Sequence, residues 1–104
     1  MKTYYVYMLL CADGSLYVGI TNNLELRVAQ HQHGFDRNCY TFTRRPVRLV
    51  HSSDFHEVHQ AISWEKQLKG WTRAKKHALI RGDYPRIHDL AKCENDTVAV
   101  PRKY

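Results

Sequence analysis

The chain has 104 residues, which fits one domain and leaves little room for a second. Hydrophobic residues make up 43% of it, enough for one modest core, and no segment approaches the roughly 18 uninterrupted apolar residues of a membrane span. The formal net charge of +6, with seven histidines taken as neutral, suits a polyanionic partner, because each phosphate contacted releases counterions.

The opening stretch, MKTYYVYMLLCADG, is too rich in tyrosine and its apolar run too short for a signal peptide, and no small-residue cleavage site follows. A cytoplasmic location is expected. Cys11, Cys39 and Cys93 agree with it: they are odd in number and widely spaced, with no Cys-x-x-Cys pair, so reduced thiols are expected. Tyr4 to about Cys11 and Ser15 to Ile20 read as strands rich in Tyr, Val and Leu, with Asp13-Gly14 as the hairpin signal between them. Asn22 or Asn23 caps a helix from Leu24 to about His33, which Gly34 stops. Residues 35–45 form a polar, arginine-bearing loop, and Pro46 leads into a third strand from Val47 to about Ser52. A second helix spans roughly His56 to Lys69 and ends at Gly70. Thr72 caps a third that reaches about Arg81, and Pro85 opens a short fourth near Ile87 to Lys92. From Glu94 the apolar pattern fades, so one domain over residues 1–93 and a mobile tail over 94–104 are expected. The order ββαβααα predicts an α+β domain, a three-stranded antiparallel sheet flanked by helices.

Three places along this chain carry chemistry. The first is the hairpin, whose loop length decides which side chains share a face. A two-residue Asp13-Gly14 loop pairs Leu10 with Tyr17 and sets Tyr7 and Tyr17 on opposite faces. A three-residue Ala12-Asp13-Gly14 loop pairs Tyr7 with Gly19, groups the two phenols diagonally on one face and leaves room above Gly19. Local sequence slightly favours the shorter turn; the grouping of polar-tipped aromatics favours the longer one.

Arg27 and His31 are the second place, spaced i, i+4 on one helix face beside Leu24 and Val28. A guanidinium offers bidentate geometry to phosphate oxygens, and an imidazole exchanges protons near neutral pH. The third is Glu65, which falls within an apolar arc of Val58, Ala61, Ile62, Trp64, Leu68 and Trp71. A lone buried carboxylate is costly unless paired, protonated or bound to a metal; pairing with Lys69 at the arc's edge is the other option. Zinc held by His31, His33, Cys39 and Cys93 is disfavoured, because His-x-His on a helix points its rings about 200° apart. Basic residues crowd two stretches, Arg37, Arg44, Arg45 and Arg48 in one and Lys66, Lys69, Arg73, Lys75, Lys76 and Arg81 in the other.

Tyr5-Val6-Tyr7, followed ten residues on by Tyr17-Val18-Gly19, resembles the two motifs that name the GIY-YIG nuclease domain. Thr21-Asn22-Asn23-Leu24, Arg27, His31 and Gly34 follow at family spacing, and Glu65 sits on a later helix. Tyr40-Thr41, Arg45-Pro46 and Trp64-Glu65-Lys66-Gln67-Leu68-Lys69-Gly70-Trp71 are similar to a small stand-alone bacterial subfamily related to the nuclease module of the repair excinuclease. The resemblance covers Tyr4 to about Ile80. It implies a ββαβα core with one or two extra helices, and a DNA endonuclease that needs Mg²⁺ or Mn²⁺. By that resemblance Tyr7 helps activate the attacking water, Tyr17 orients water or phosphate, and Arg27 stabilises charge on the scissile phosphate. His31 supports Tyr7 or shuttles a proton, and Glu65 holds the metal. Arg44, Arg45, Lys69, Arg73, Lys75 and Lys76 would contact nucleic acid.

Two positions depart from the family pattern. Tyr5 replaces the leading Gly of the first motif, and no Asn stands between Gly70 and Arg81 where many members carry one. With no sequence-reading module in so short a chain, single-stranded or structured DNA in repair or recombination is the expected partner, and a monomer the expected state. Trp71, Tyr40 and Phe42 are candidates to stack on unpaired bases, with core packing the other role for Trp71. The rival from another class is a nucleic-acid-binding or partner-scaffold module that keeps the fold but does not cut.

Overall fold

The structure, a computed structural model, describes residues 2–97, with side chains through Leu90. The elements are β1 (Tyr4–Leu10), β2 (Leu16–Thr21), α1 (Leu24–His33), a 3₁₀ turn (Phe42–Arg44), β3 (Arg48–Phe55), α2 (Val58–Lys69), α3 (Arg73–Arg81) and α4 (Tyr84–Thr97). They form the expected α+β fold, a three-stranded antiparallel sheet in the order β2-β1-β3 and, among the described residues, four α-helices. The contacts divide the chain into two compact units, residues 1–66 and residues 67–104.

The first unit is organised by β1, because a central strand is covered on both faces. Val6, Tyr7, Met8 and Leu9 accordingly form a continuous buried run rather than alternating in and out. The hairpin uses the longer of the two loops: Leu10 pairs with Leu16, Leu9 with Tyr17 and Tyr7 with Gly19. Gly14 takes φ +85°, as the left-handed position of such a bulge requires. Asp13 favours this turn, since its carboxylate accepts from the Ser15 backbone N–H (3.0 Å) and hydroxyl (2.6 Å). That local bond is what outweighs the shorter turn. Leu24 and Val28 of α1 pack on a core of Tyr7, Leu9, Cys11 and Val47.

Helix α1 has the expected bounds. Asn23 accepts from the Leu26 N–H (3.2 Å), and Gly34 ends it in the left-handed conformation at φ +68°. Gln32 then pins the chain to the start of β3, donating to the Val47 carbonyl (2.7 Å) and accepting from its N–H (2.9 Å).

Three boundaries differ from the sequence expectation. Strand β3 runs on to Phe55, past Ser52, because Ser53 and Asp54 still pair with Val6 and Tyr5 at the sheet edge, where polar side chains cost little. Helix α2 starts at Val58 rather than His56, since the Glu57 carboxylate accepts from the N–H groups of His59 (2.6 Å) and Gln60 (3.2 Å). In its expected apolar arc, Ile62 is 36% exposed and so lies outside the buried set.

In the second unit, α3 begins as expected at a Thr72 cap bonded to the Lys75 N–H (3.2 Å) and ends at Gly82. Helix α4 is longer than the Ile87–Lys92 segment expected. Asp83 caps it at the Arg86 N–H (3.2 Å), and it continues through Thr97. The first residues of the expected tail are therefore helical, and 98–104 lie outside the described residues.

Candidate active site

Register and helix spacing together put Tyr7, Tyr17 and His31 in one aromatic cluster. Ring centroids are 6.3 Å apart for Tyr7–Tyr17, 5.8 Å for Tyr7–His31 and 5.1 Å for Tyr17–His31. The Tyr7 phenol lies over Gly19, where an added Cβ would meet the phenol oxygen and come within 2.6 Å of Cζ. Gly19 is thus the space in which Tyr7 sits. We expect Gly19→Ala to cost about 1–3 kcal/mol by overpacking. Denaturant unfolding would measure this, and a variant as stable as the parent would show that Tyr7 moves aside freely.

His31 is buried and engaged at both nitrogens. Nε2 is 2.9 Å from the Tyr7 hydroxyl, and Nδ1 is 2.8 Å from Thr41 Oγ1 and 3.6 Å from Cys39 Sγ. Thr41 and Cys39 reach it because loop 35–45 folds back over the hairpin. Ala12 N–H donates to the Arg44 carbonyl (2.8 Å), and Arg44 Nε bonds Asp13 (3.1 Å). Arg44 also donates to the Tyr40 carbonyl (2.7 Å) and places its guanidinium 3.8 Å from the Tyr40 ring, which stacks on Tyr17 (6.1 Å, 21°).

Beside this cluster opens a cleft of about 620 Å³, lined by Tyr17, Arg27, His31, Phe35, Arg37 and Thr41 among others. Electrostatics grade its groups. Burial first, and then the neighbouring Tyr17, push the Tyr7 phenol well above its ordinary value, while Arg27 pulls the other way by charge and hydrogen bonding. Burial also raises Tyr17, with smaller upward pushes from Cys39 and from the Glu65 carboxylate. His31 is lowered, first by burial and then by Arg27, so its ring is neutral at pH 7.

The structure therefore brings together Tyr7, Tyr17, Arg27 and His31, with Glu65 half-buried on α2 and near enough for its charge to act on Tyr17. Tyr7 has 0% exposure and does not line the cleft, so the phenol facing the cleft is that of Tyr17.

The expected nucleic-acid contacts are divided. Arg44 is held as described, and Arg45 donates to the Phe42 carbonyl (2.9 Å) with its guanidinium 4.6 Å from that ring. Lys75 is fully buried with its ammonium 4.5 Å from the Trp71 ring, which corrects its place among surface cations and takes Trp71 out of the stacking candidates. Burial lowers the Lys76 ammonium, while Lys69 and Arg73 are exposed. The cations that line the cleft are Arg27 and Arg37. Phe35, 78% exposed at the same cleft, was not marked by any sequence signal, because loop residues carry no periodicity. Among the described residues no three His, Cys, Asp or Glu side chains form a group able to hold a metal ion, and Cys93 of the zinc alternative lies outside the described side chains.

Residues 3–78, which hold every member of this cluster and Glu65, match the GIY-YIG catalytic domain. The chain belongs to the GIY-YIG family. That family places it in a nuclease superfamily. It is 46% identical over 79 residues to a UPF0213 protein of Lacticaseibacillus paracasei, covering 76% of this chain and 88% of that one. A UPF0213 protein of Natronomonas pharaonis is 46% identical over 77 residues, 74% of this chain and 89% of its own. Among solved structures, the GIY-YIG chain is similar to the solution structure of a UPF0213 protein from Bacillus halodurans. That match has a TM-score of 0.51 at 36% identity and covers 86% of this chain and 97% of the other. A protein from E. faecalis superposes with a TM-score of 0.56 at 33% identity, over 81% and 88% of the two chains. The three-stranded sheet and its helices are thus those of a small stand-alone GIY-YIG protein.

Proposed function

We propose that this protein is a divalent-metal-dependent endonuclease that hydrolyses phosphodiester bonds in single-stranded or structured DNA. The observation that carries this is the convergence of Tyr17, Arg27 and His31 on one cleft, with Tyr7 hydrogen-bonded to His31 behind them. Hydrolysis adds a hydroxyl to phosphorus and a proton to the leaving oxygen. Arg27, exposed in the cleft, grips phosphate oxygens and meets the charge that grows on them. Tyr17 is the phenol that meets the water. Tyr7 takes its part through proton exchange with His31 at 2.9 Å.

A metal would be held by Glu65. The fit is to a hard ion: a single half-buried carboxylate whose charge reaches Tyr17 suits Mg²⁺ or Mn²⁺, which keep most of their waters and use one or two carboxylates. When bound, such an ion supplies Lewis acidity toward phosphate oxygens and lowers the pKa of its waters. The preference for unpaired strands is supported by Phe35, whose exposed ring stands by Arg27 and Arg37 in the lining and offers a base a stacking face. No helix among the described residues is long and apolar enough to cross a membrane. Action as a monomer on cytoplasmic DNA, in repair or recombination, completes the proposal.

End-labelled single strands, flaps and duplexes incubated with Mg²⁺ or Mn²⁺ test it. Cleavage of strands or flaps that stops on chelation is the expected result. Binding without cleavage under either metal would overturn it in favour of the non-cutting module.

A further inference from the structure

We infer that Thr41, with Cys39 behind it, fixes His31 in the tautomer that carries its proton on Nδ1, and so directs the Tyr7 hydroxyl proton onto Nε2. Proton counting along the chain of hydrogen bonds starts from the buried phenol. At one end, Tyr7 is fully buried, and a buried hydroxyl donor needs an acceptor. The polar groups on its oxygen are His31 Nε2 at 2.9 Å and the Arg27 guanidinium. A guanidinium only donates, so the phenol proton goes to Nε2, which is then bare.

At the other end, Thr41 Oγ1 is within reach of two atoms, His31 Nδ1 at 2.8 Å and Cys39 Sγ at 3.4 Å. With Nε2 bare, Nδ1 carries the ring proton and donates it to Thr41 Oγ1, whose own hydroxyl proton then goes to sulfur. A neutral imidazole has one N–H, so a bare Nε2 assigns it to Nδ1, where Thr41 Oγ1 is positioned to accept it. The relay therefore runs Tyr7 to His31 to Thr41 to Cys39, each donating to the next. Thr41 is 1% exposed, which holds its hydroxyl on these two partners.

The consequence for function rests on the nuclease proposal above. In this direction Nε2 is the base open to the Tyr7 proton; burial raises the phenol and lowers the imidazole, so the resting pair is neutral phenol and neutral imidazole, and the proton crosses only as charge develops in the cleft and returns when the step reverses. With the tautomer inverted, Nε2–H would donate to the phenol oxygen and the Tyr7 proton would have no base to go to. Thr41 is thus a positioning residue that acts through His31.

The test begins with nitrogen-detected imidazole NMR on the ¹⁵N-labelled full chain at neutral pH, which reads the tautomer with no substrate or metal. The wild type is expected to show Nδ1 protonated and Nε2 bare; protonation on Nε2 would overturn the inference. Thr41→Val removes the acceptor and should populate the Nε2–H form, while Thr41→Ser should keep the wild-type spectrum. In cleavage assays Thr41→Val is expected to lose roughly 10- to 100-fold in kcat, the scale on which a metal-ligating histidine responds to loss of its outer hydrogen-bond partner, with KM changed little and Thr41→Ser close to wild type. A Thr41→Val protein with the wild-type tautomer and rate would also overturn it. Should Thr41→Val fail to fold, the wild-type and Thr41→Ser spectra still decide. An inactive wild type with the expected tautomer refutes the nuclease proposal and leaves the relay standing.

Discussion

Arg27→Ala is expected to slow DNA cleavage on the order of 100-fold or more while leaving binding and folding close to wild type. Loss of a preorganised donor at a developing charge typically costs about 3–4 kcal/mol, and each 1.4 kcal/mol or so is tenfold in rate. Binding should change far less, because this guanidinium is one cation among sixteen Lys and Arg. Folding should hardly respond: Arg27 is exposed on α1, whose hold on the sheet comes from Leu24 and Val28. The variant also removes the charge that favours ionised Tyr7 and lowers His31, so Tyr7 should become harder to ionise and His31 easier to protonate. Arg27→Lys should rescue little, since an ammonium cannot match two phosphate oxygens in a planar fork. Single-turnover cleavage and fluorescence anisotropy with the same oligonucleotide separate the two effects. A wild-type rate would show that the site has been drawn around the wrong residue, and equal losses in binding and rate would make Arg27 a simple anchor.

What the sequence made legible was whatever depends on short-range geometry. The i, i+4 spacing of Arg27 and His31 and the caps of α1 and α3 are decided within a few residues, so both helices appeared at the expected bounds. The hairpin was a closer matter. Its two candidate turns differ by one residue, and the choice fell to Asp13 bonding Ser15, a side-chain contact that strand propensity does not encode. Loop 35–45 was opaque for a further reason. Its fold depends on contacts with the hairpin about 30 residues earlier, Arg44 to Asp13 and Ala12, so nothing local announced Thr41 and Cys39 at His31. The same contacts explain why a run of arginines that looked free for phosphate is partly spent on its own loop. Lys75 misled for the opposite reason: its basic neighbours suggest a solvated face, while its position in α3 buries it beside Trp71.

Glu65→Gln should abolish metal-dependent cleavage, by about 1,000-fold or more, and leave metal-free DNA binding intact or slightly tighter. The size follows from the metal's share of transition-state charge stabilisation, several kcal/mol, at roughly 1.4 kcal/mol per tenfold in rate. Gln has the volume of Glu, so packing of α2 is retained and only the charge and one metal-binding oxygen are lost. Removing a negative charge from the neighbourhood of the cleft can only help a polyanion to approach, hence the expected direction for binding. A second readout needs no turnover. An ion that binds the folded wild type stabilises it by about 2.7 kcal/mol at a hundred times its Kd, and this gain should vanish in the variant. Tyr17 offers a third, because Glu65 contributes to raising its pKa and the variant should let that phenol ionise at lower pH. If Glu65→Gln keeps both the wild-type rate and the metal-induced rise in Tm, the ion is held elsewhere. If the rate falls while metal stabilisation persists, Glu65 acts on the Tyr17 phenol rather than on the ion.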